Sequence, residues 1–368
     1  MNKTITALAI MMASFAANAS VLPETPVPFK SGTGAIDNDT VYIGLGSAGT
    51  AWYKLDTQAK DKKWKALAAF PGGPRDQATS AFIDGNLYVF GGIGKNSEGL
   101  TQVSNDVHKY NPKTNSWVKL MSHAPVGMAG HVTFVHNGKA YVTGGVNQNI
   151  FNGYFEDLNE AGKDQTAVDK INAHYFDKKA EDYFFNKFLL SFDPSTQQWS
   201  YAGESPWYGT AGAAVVNKGD KTWLINGEAK PGLRTDAVFE LDFTGNNLKW
   251  NKLAPVSSPD GVAGGFAGVS NDSLIFAGGA GFKGSRENYQ NGKNYAHEGL
   301  KKSYSADIHL WHNGKWDKSG ELSQGRAYGV SLPWNNSLLI IGGESAGGKA
   351  VTDSVLITVK DNKVTVQN

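Results

Sequence analysis

Two side chains of complementary chemistry stand six residues apart in Asn226-Gly227-Glu228-Ala229-Lys230-Pro231-Gly232-Leu233-Arg234. A carboxylate such as Glu228 can take a proton from a hydroxyl. A guanidinium such as Arg234 can hold a carboxylate through two parallel hydrogen bonds. The connection between them is short and stiffened by Pro-Gly, so it would keep the two side chains close. On spacing alone, a surface turn carrying a weak salt bridge fits as well. A second tier of candidates is His131, Arg75, Arg326, Arg286 and Glu344, with Tyr208 a weaker member. Arg75 and Arg326 read either as ligand contacts or as structural groups bonding backbone carbonyls.

Other constellations fail. His309 and His312 lie three apart on an expected strand, which turns them to opposite faces. Asp37-Asn38-Asp39 lacks the glycine and distal glutamate of a calcium loop. No glycine-rich phosphate loop opens a helix. With no cysteine in 368 residues, disulfides, thiol nucleophiles and thiolate metal sites drop out. Thirty-five basic against 34 acidic residues leave no field for nucleic acid or an anionic membrane. Hydrophobic residues at 40 % suffice for a core. Gly at 44 residues with 10 Trp, 14 Tyr and 18 Phe suggests many turns between strands.

The elements that must position these residues come as a repeat. Leu87-Tyr88-Val89-Phe90-Gly91-Gly92 returns as Ala140-Tyr141-Val142-Thr143-Gly144-Gly145 and as Trp223-Leu224-Ile225-Asn226-Gly227-Glu228. It returns twice more, ending at Gly278-Gly279 and Gly342-Gly343, with a degenerate copy at Val41–Gly46. Each copy follows a polar turn and precedes a strand with a polar start; Trp64, Trp117, Trp199, Trp250 and Trp316 open a further segment, with Val364 in the sixth unit. Short β-branched and aromatic runs between Gly, Asn and Asp are strands and hairpins. One such sheet cannot bury its faces, but six around an axis can, with a large Trp in each wedge. The expected fold is therefore all-β: a six-bladed propeller over residues 20–368.

Residues 1–19 read as a cleaved signal peptide: Lys3, an apolar Ile5–Phe15 run and Ala17-Asn18-Ala19. An exported chain without cysteine points to the periplasm. The Trp spacings of 53, 82, 51 and 66 place extra chain at about 94–103, 147–187 and 281–304, always between the second and third strands of a unit. All three insertions should crowd one mouth of the central channel. Leu158, Ala161, Val168, Ile171 and Tyr175 approximate one helical face, so the third-blade insertion is expected to be partly helical. Its aromatic content suits a lid or a subunit contact in a homodimer; plain shielding of one end is the alternative. After the paired glycines stand Ile93, Val146, Ala280, and in two blades an acid, Glu228 or Glu344. Acids that break a repeat rule are functional candidates.

The repeat resembles the kelch β-propeller family. Copper-radical kelch oxidases need a cysteine crosslink that is absent here, and the boxes of sialidases are missing. The signal sequence, the long aromatic third insertion and the 226–234 segment together resemble bacterial N-acetylneuraminate epimerases over the full chain. The resemblance implies interconversion of the α and β anomers of free sialic acid, with Glu228 as general base and Arg234 as its partner. It implies no metal and no organic cofactor. A non-catalytic sialic acid-binding propeller and a protein-interaction scaffold are the rival readings.

Overall fold

The computed structural model describes residues 21–245 and 248–368. The expected signal peptide lies outside them. Six four-stranded antiparallel sheets follow one another along the chain, at residues 33–66, 79–123, 131–204, 214–253, 266–321 and 330–367. In each, the strands pair in chain order from the inside outward. The hairpins turn where the sequence marks them: Asp84-Gly85 and Asn137-Gly138 both take positive φ at each residue, the geometry whose twist matches flanking strands.

The innermost strands touch in a closed ring, each on the next, with Val330–Trp334 of blade 6 against Thr33–Asp37 of blade 1. The hydrophobic core is correspondingly divided. Six buried clusters lie one between each pair of neighbouring blades; Phe90 and Val107 of blade 2, for instance, pack with Phe192 of blade 3. The tryptophans fill these wedges as expected, Trp117 lying 5.3 Å from Trp52 and 5.2 Å from Phe70. Each fully buried large side chain is worth about 1.5–3 kcal/mol.

The paired glycines stitch the ring. The glycine that ends the repeat, second of a pair in four blades and preceded by Asn226 or Leu45 in the other two, donates its N–H to the next segment of the ring: Gly92 to Met128, Gly145 to Thr210, Gly227 to Val262, Gly279 to Arg326, Gly343 to Phe29 and Gly46 to Arg75. Gly279 shows why a side chain is excluded, since a Cβ there would lie 2.4 Å from Val262 at φ +99°. The Gly343 bond also closes the ring. Val27-Pro28-Phe29 enters beside blade 6 without adding a strand to it. Phe29 pairs with Val351 in a single bridge, and blade 6 takes all four strands from the C-terminal chain.

The second-to-third-strand connections carry the extra elements: the hairpin Ile93–Lys95/Thr101–Val103, helices α1 (Gln148–Ala161) and α2 (Gln165–Phe176), and α3 (Ser285–Gln290). The helical face read across 158–175 is split between two helices. Gly162, at φ +55°, caps α1 by donating to Leu158, and the Asp164 side chain accepts from Thr166 and Ala167 to start α2. Tyr154 and Tyr175 then stack across the helix pair at 4.0 Å. No helix among the described residues is long and apolar enough to cross a membrane.

Candidate functional site

In blade 4 the central strand Lys221–Ile225 runs into Asn226-Gly227, and the chain returns as a small hairpin. Glu228–Lys230 pairs with Leu233–Arg234 so that Glu228 and Arg234 are direct cross-strand partners. Gly232 makes the turn at φ +79°; a Cβ there would meet the His297 ring. Arg234 is buried, 6 % exposed, and its Nη1 forms an ion pair with Glu228 Oε1. Its other contacts are long: Nε donates to Ala280 O at 3.3 Å and Nη2 to the Tyr328 hydroxyl at 3.4 Å. The guanidinium stacks over Phe282 at 5.4 Å. Burial alone would lower the Arg234 pKa, but Glu228 and Tyr328 outweigh it and raise it. Glu228 is anchored by the Gly232 N–H at 2.6 Å while its side chain stays 23 % exposed.

Neighbouring insertions are fastened to this hairpin. Lys230 is fully buried, and its ammonium donates to Phe176 O at 3.0 Å, to Lys178 O, and to Asn294 O at 2.6 Å. One lysine thus ties the third-blade and fifth-blade insertions to the strand carrying Glu228. Burial pulls its pKa down to about 8, so it remains charged at neutral pH. Burial also raises the hydroxyl pKa values of Tyr175 and Tyr183, and the Glu228 carboxylate adds to both. Burial lowers the His297 pKa, with Glu228 opposing it. Beside Arg234 opens a cleft of about 360 Å³ lined by Tyr208, Thr235, Asp236, Arg286 and Tyr289, within the usual size for a small-molecule site. A larger cleft of about 750 Å³ adjoins it around Phe184, Trp207 and Tyr208.

Glu344 occupies in blade 6 the position of Glu228 in blade 4, since it pairs with Ala327 as Glu228 pairs with Ala211. It is bound by Lys30 at 2.7 Å and by Lys302 and the Tyr304 hydroxyl. Burial pushes its pKa up, but these donors prevail and hold it at about 2. Lys302 also lies 5.3 Å over the Tyr328 ring, so Glu344 and Arg234 belong to one chain of contacts. Arg75 grips Asp106 through both terminal nitrogens and donates to Gly91 O and Gly72 O. Arg326 donates to Asp353 from Nη2 alone, at 2.6 Å, and to Gly342 O from Nη1 at 3.3 Å, while its buried Nε has no partner among the described residues. Arg286 holds Asp236 at 3.0 and 3.1 Å. His131 is buried against Thr79, its pKa lowered by burial to about 3. Tyr208 is half exposed, with its hydroxyl 3.4 Å from Thr235. Among the described residues there is no cluster of three or more His, Asp or Glu that could hold a metal.

A buried guanidinium whose contacts beyond its ion pair are long, set beside a partly exposed carboxylate, suits a substrate that carries a carboxylate beside a proton to be moved. The sequence profile of the N-acetylneuraminate epimerases matches residues 22–366. The chain belongs to that family. Its relatives include the N-acetylneuraminate epimerase of Escherichia coli K12, 98 % identical over the whole of both chains. The epimerase of Shigella flexneri is 97 % identical over the same span. The solved structure of YjhT superposes with a TM-score of 0.94 at 98 % identity, covering 95 % of this chain and all of that one.

Within this epimerase fold, several groups at the mouth escaped the sequence reading: Lys230, His297, Phe282, Lys302, Tyr304 and Tyr328. Lys230 could have been found, since a lysine flanked by Ala229 and Pro231 in a short hairpin has little room to reach solvent. The others come from blades 5 and 6, and no spacing links them to residue 228.

Proposed function

We propose that this chain interconverts the anomers of free N-acetylneuraminate by assisted ring opening, with Glu228 as base and Arg234 as carboxylate clamp. The observation that carries the reading is the buried Arg234 guanidinium, ion-paired to Glu228 and otherwise held only by long contacts to Ala280 O and the Tyr328 hydroxyl. The anomeric carbon of the sugar bears both a carboxylate and the hydroxyl whose proton must leave. With the carboxylate on Arg234, that hydroxyl faces Glu228. Glu228 takes the proton, the ring opens, the carbonyl turns, and the ring closes on the other face. One positioned base contributes about 10²–10⁴-fold. Tyr208 and Arg286 line the cleft beside Arg234, and Glu344 is joined to the site through Lys302 and Tyr328. The full engagement of Arg75 by Asp106 and backbone carbonyls favours a scaffold role for it, and complete burial with the Asp353 contact favours the same for Arg326, as burial does for His131.

Export to the periplasm, read from residues 1–19, would bring the enzyme to free sugar acid outside the inner membrane. The exposed aromatics Phe184 on the insertion and Phe188 and Tyr201 on the strands beside it suit a homodimer contact. The test is anomer exchange followed by NMR with Glu228→Gln and Glu228→Ala. Loss of acceleration in both, with sugar still bound, is expected. Exchange at the wild-type rate in both would overturn the assignment, and a wild type that binds without accelerating would be a lectin.

A further inference from the structure

Six topologically equivalent residues, one per blade, line the start of the channel: Ser31, Gln77, Gly130, Gly212, Gly264 and Tyr328. All six adopt left-handed backbone, with φ between 55° and 65°. Backbone bonds of 2.7–2.9 Å join them into a belt, from Gln77 to Ser31, Ser31 to Tyr328, Tyr328 to Gly264, Gly264 to Gly212 and Gly212 to Gly130. Three blades use glycine, the residue that takes this conformation without cost. Blade 6 instead places a bulky Tyr328 there, at φ 57°. Such a residue in the left-handed region is a true outlier, and the surrounding structure must over-determine it. Gly264 provides the room, because a Cβ on it would come within 2.3 Å of the Tyr328 ring.

The ring is aimed into the site. The Tyr328 hydroxyl meets Arg234 Nη2 at 3.4 Å, whereas Glu228 meets Nη1 of the same guanidinium. The Lys302 ammonium lies 5.3 Å from the Tyr328 ring centroid. A carboxylate and a phenol therefore flank one guanidinium on its two sides, with a second cation behind the phenol.

We infer that Tyr328 is the acid partner of Glu228, donating its phenolic proton to the ring oxygen of the sugar; this rests on the function proposed above. The carboxylate, the hydroxyl and the ring oxygen all sit on the anomeric carbon. A carboxylate seated on Arg234 directs the hydroxyl to one side of the guanidinium and the ring oxygen to the other. Glu228 accepts the hydroxyl proton as the C–O bond to the ring oxygen breaks, and Tyr328 gives that oxygen its proton. The products are an open-chain keto acid, a neutral Glu228 and a Tyr328 phenolate beside Arg234 and Lys302. After the carbonyl turns, the chain hydroxyl adds to its other face and returns its proton to the phenolate. Glu228 gives its proton to the carbonyl oxygen, and both groups are restored. No other reagent is consumed.

The test is Tyr328→Phe, which keeps the ring that packs on Gly264. The expected result is a fall in kcat of about 10²-fold or more, with sugar affinity by calorimetry within threefold of wild type. Replacing Tyr328 with 3,5-difluorotyrosine, a more acidic phenol of the same shape, covers the case in which the Phe variant fails to fold. There the alkaline fall of kcat is expected at lower pH than in wild type. A folded Tyr328→Phe variant within threefold of the wild-type kcat, or an unmoved alkaline limb, would overturn the inference. Measuring Glu228→Gln alongside separates the two claims. If Glu228→Gln loses exchange and Tyr328→Phe keeps it, the acid assignment falls and the function stands. If both keep it, the site itself has been misplaced.

Discussion

Blade 2 and blade 4 build the same mouth from the same residue types and put them to different use. In blade 2, Arg75 enters ahead of the innermost strand and Asp106 heads the third strand. Every nitrogen of that guanidinium has an acceptor. In blade 4 the corresponding positions are Thr210 and Ala237, both uncharged. The acid and the arginine reappear in the hairpin between the second and third strands, as Glu228 and Arg234. There the arginine is ion-paired to Glu228, and its other two contacts, to Ala280 O and the Tyr328 hydroxyl, are long. A buried ion pair that is complete within the protein leaves nothing for a ligand; an incomplete one holds hydrogen-bonding capacity for something else.

The largest effect that could break this contrast is at blade 2. Arg75→Leu strands Asp106 as a buried charge, and a loss of about 3–5 kcal/mol is expected from the guanidinium chloride midpoint. A stable variant that only fails to bind sugar would move the clamp to blade 2. Next comes Arg234→Lys, which keeps the charge and removes the planar fork. Losing charge-assisted hydrogen bonds costs about 1.5–3 kcal/mol, so affinity for N-acetylneuraminate should fall about 10–100-fold in calorimetry while the melting temperature changes little. Lys230→Met leaves three carbonyls without their donor, about 1–3 kcal/mol. Faster hydrogen exchange is expected in residues 165–183 and 285–297, with a higher KM.

The smallest effect is the pH response of blade 2. Burial, helped by Arg75 and Lys119 and opposed by Asp106, pulls the His108 pKa down to about 4. The unfolded chain binds this proton near pH 6.5 and the folded chain near 4. Between those values the unfolded state carries more protons, so stability falls as pH falls, by at most about 1.4 kcal/mol per unit. His108→Gln should flatten denaturation midpoints between pH 6.5 and 4. A slope unchanged by that substitution would show that His108 does not contribute to the acid sensitivity.

Much of this was legible beforehand. The glycine pairs and the tryptophans recur because each blade must donate to the next and fill the same wedge, so a structural necessity appears as a period. Glu228 stood out by breaking that period. Arg75 and Arg326 could not be sorted, because their partners Asp106 and Asp353 lie 31 and 27 residues away. The helical face of 158–175 read as continuous because periodicity ignores a capping glycine. Tyr328 carried no signal. Its departure from glycine matters only at a left-handed belt position, and that position is defined by backbone bonds to other blades.

Turn chemistry, strand alternation and hairpin spacing act over a few residues, so the sequence by itself determined six blades, the side on which the insertions fall, and the pairing of Glu228 with Arg234. Which charges are spent and which are left over was decided only in the closed ring. Arg234 meets Tyr328 across 94 residues and Lys30 meets Glu344 across 314. Contacts at those separations exist only once the curvature of the stacked sheets has brought the ends of the chain together.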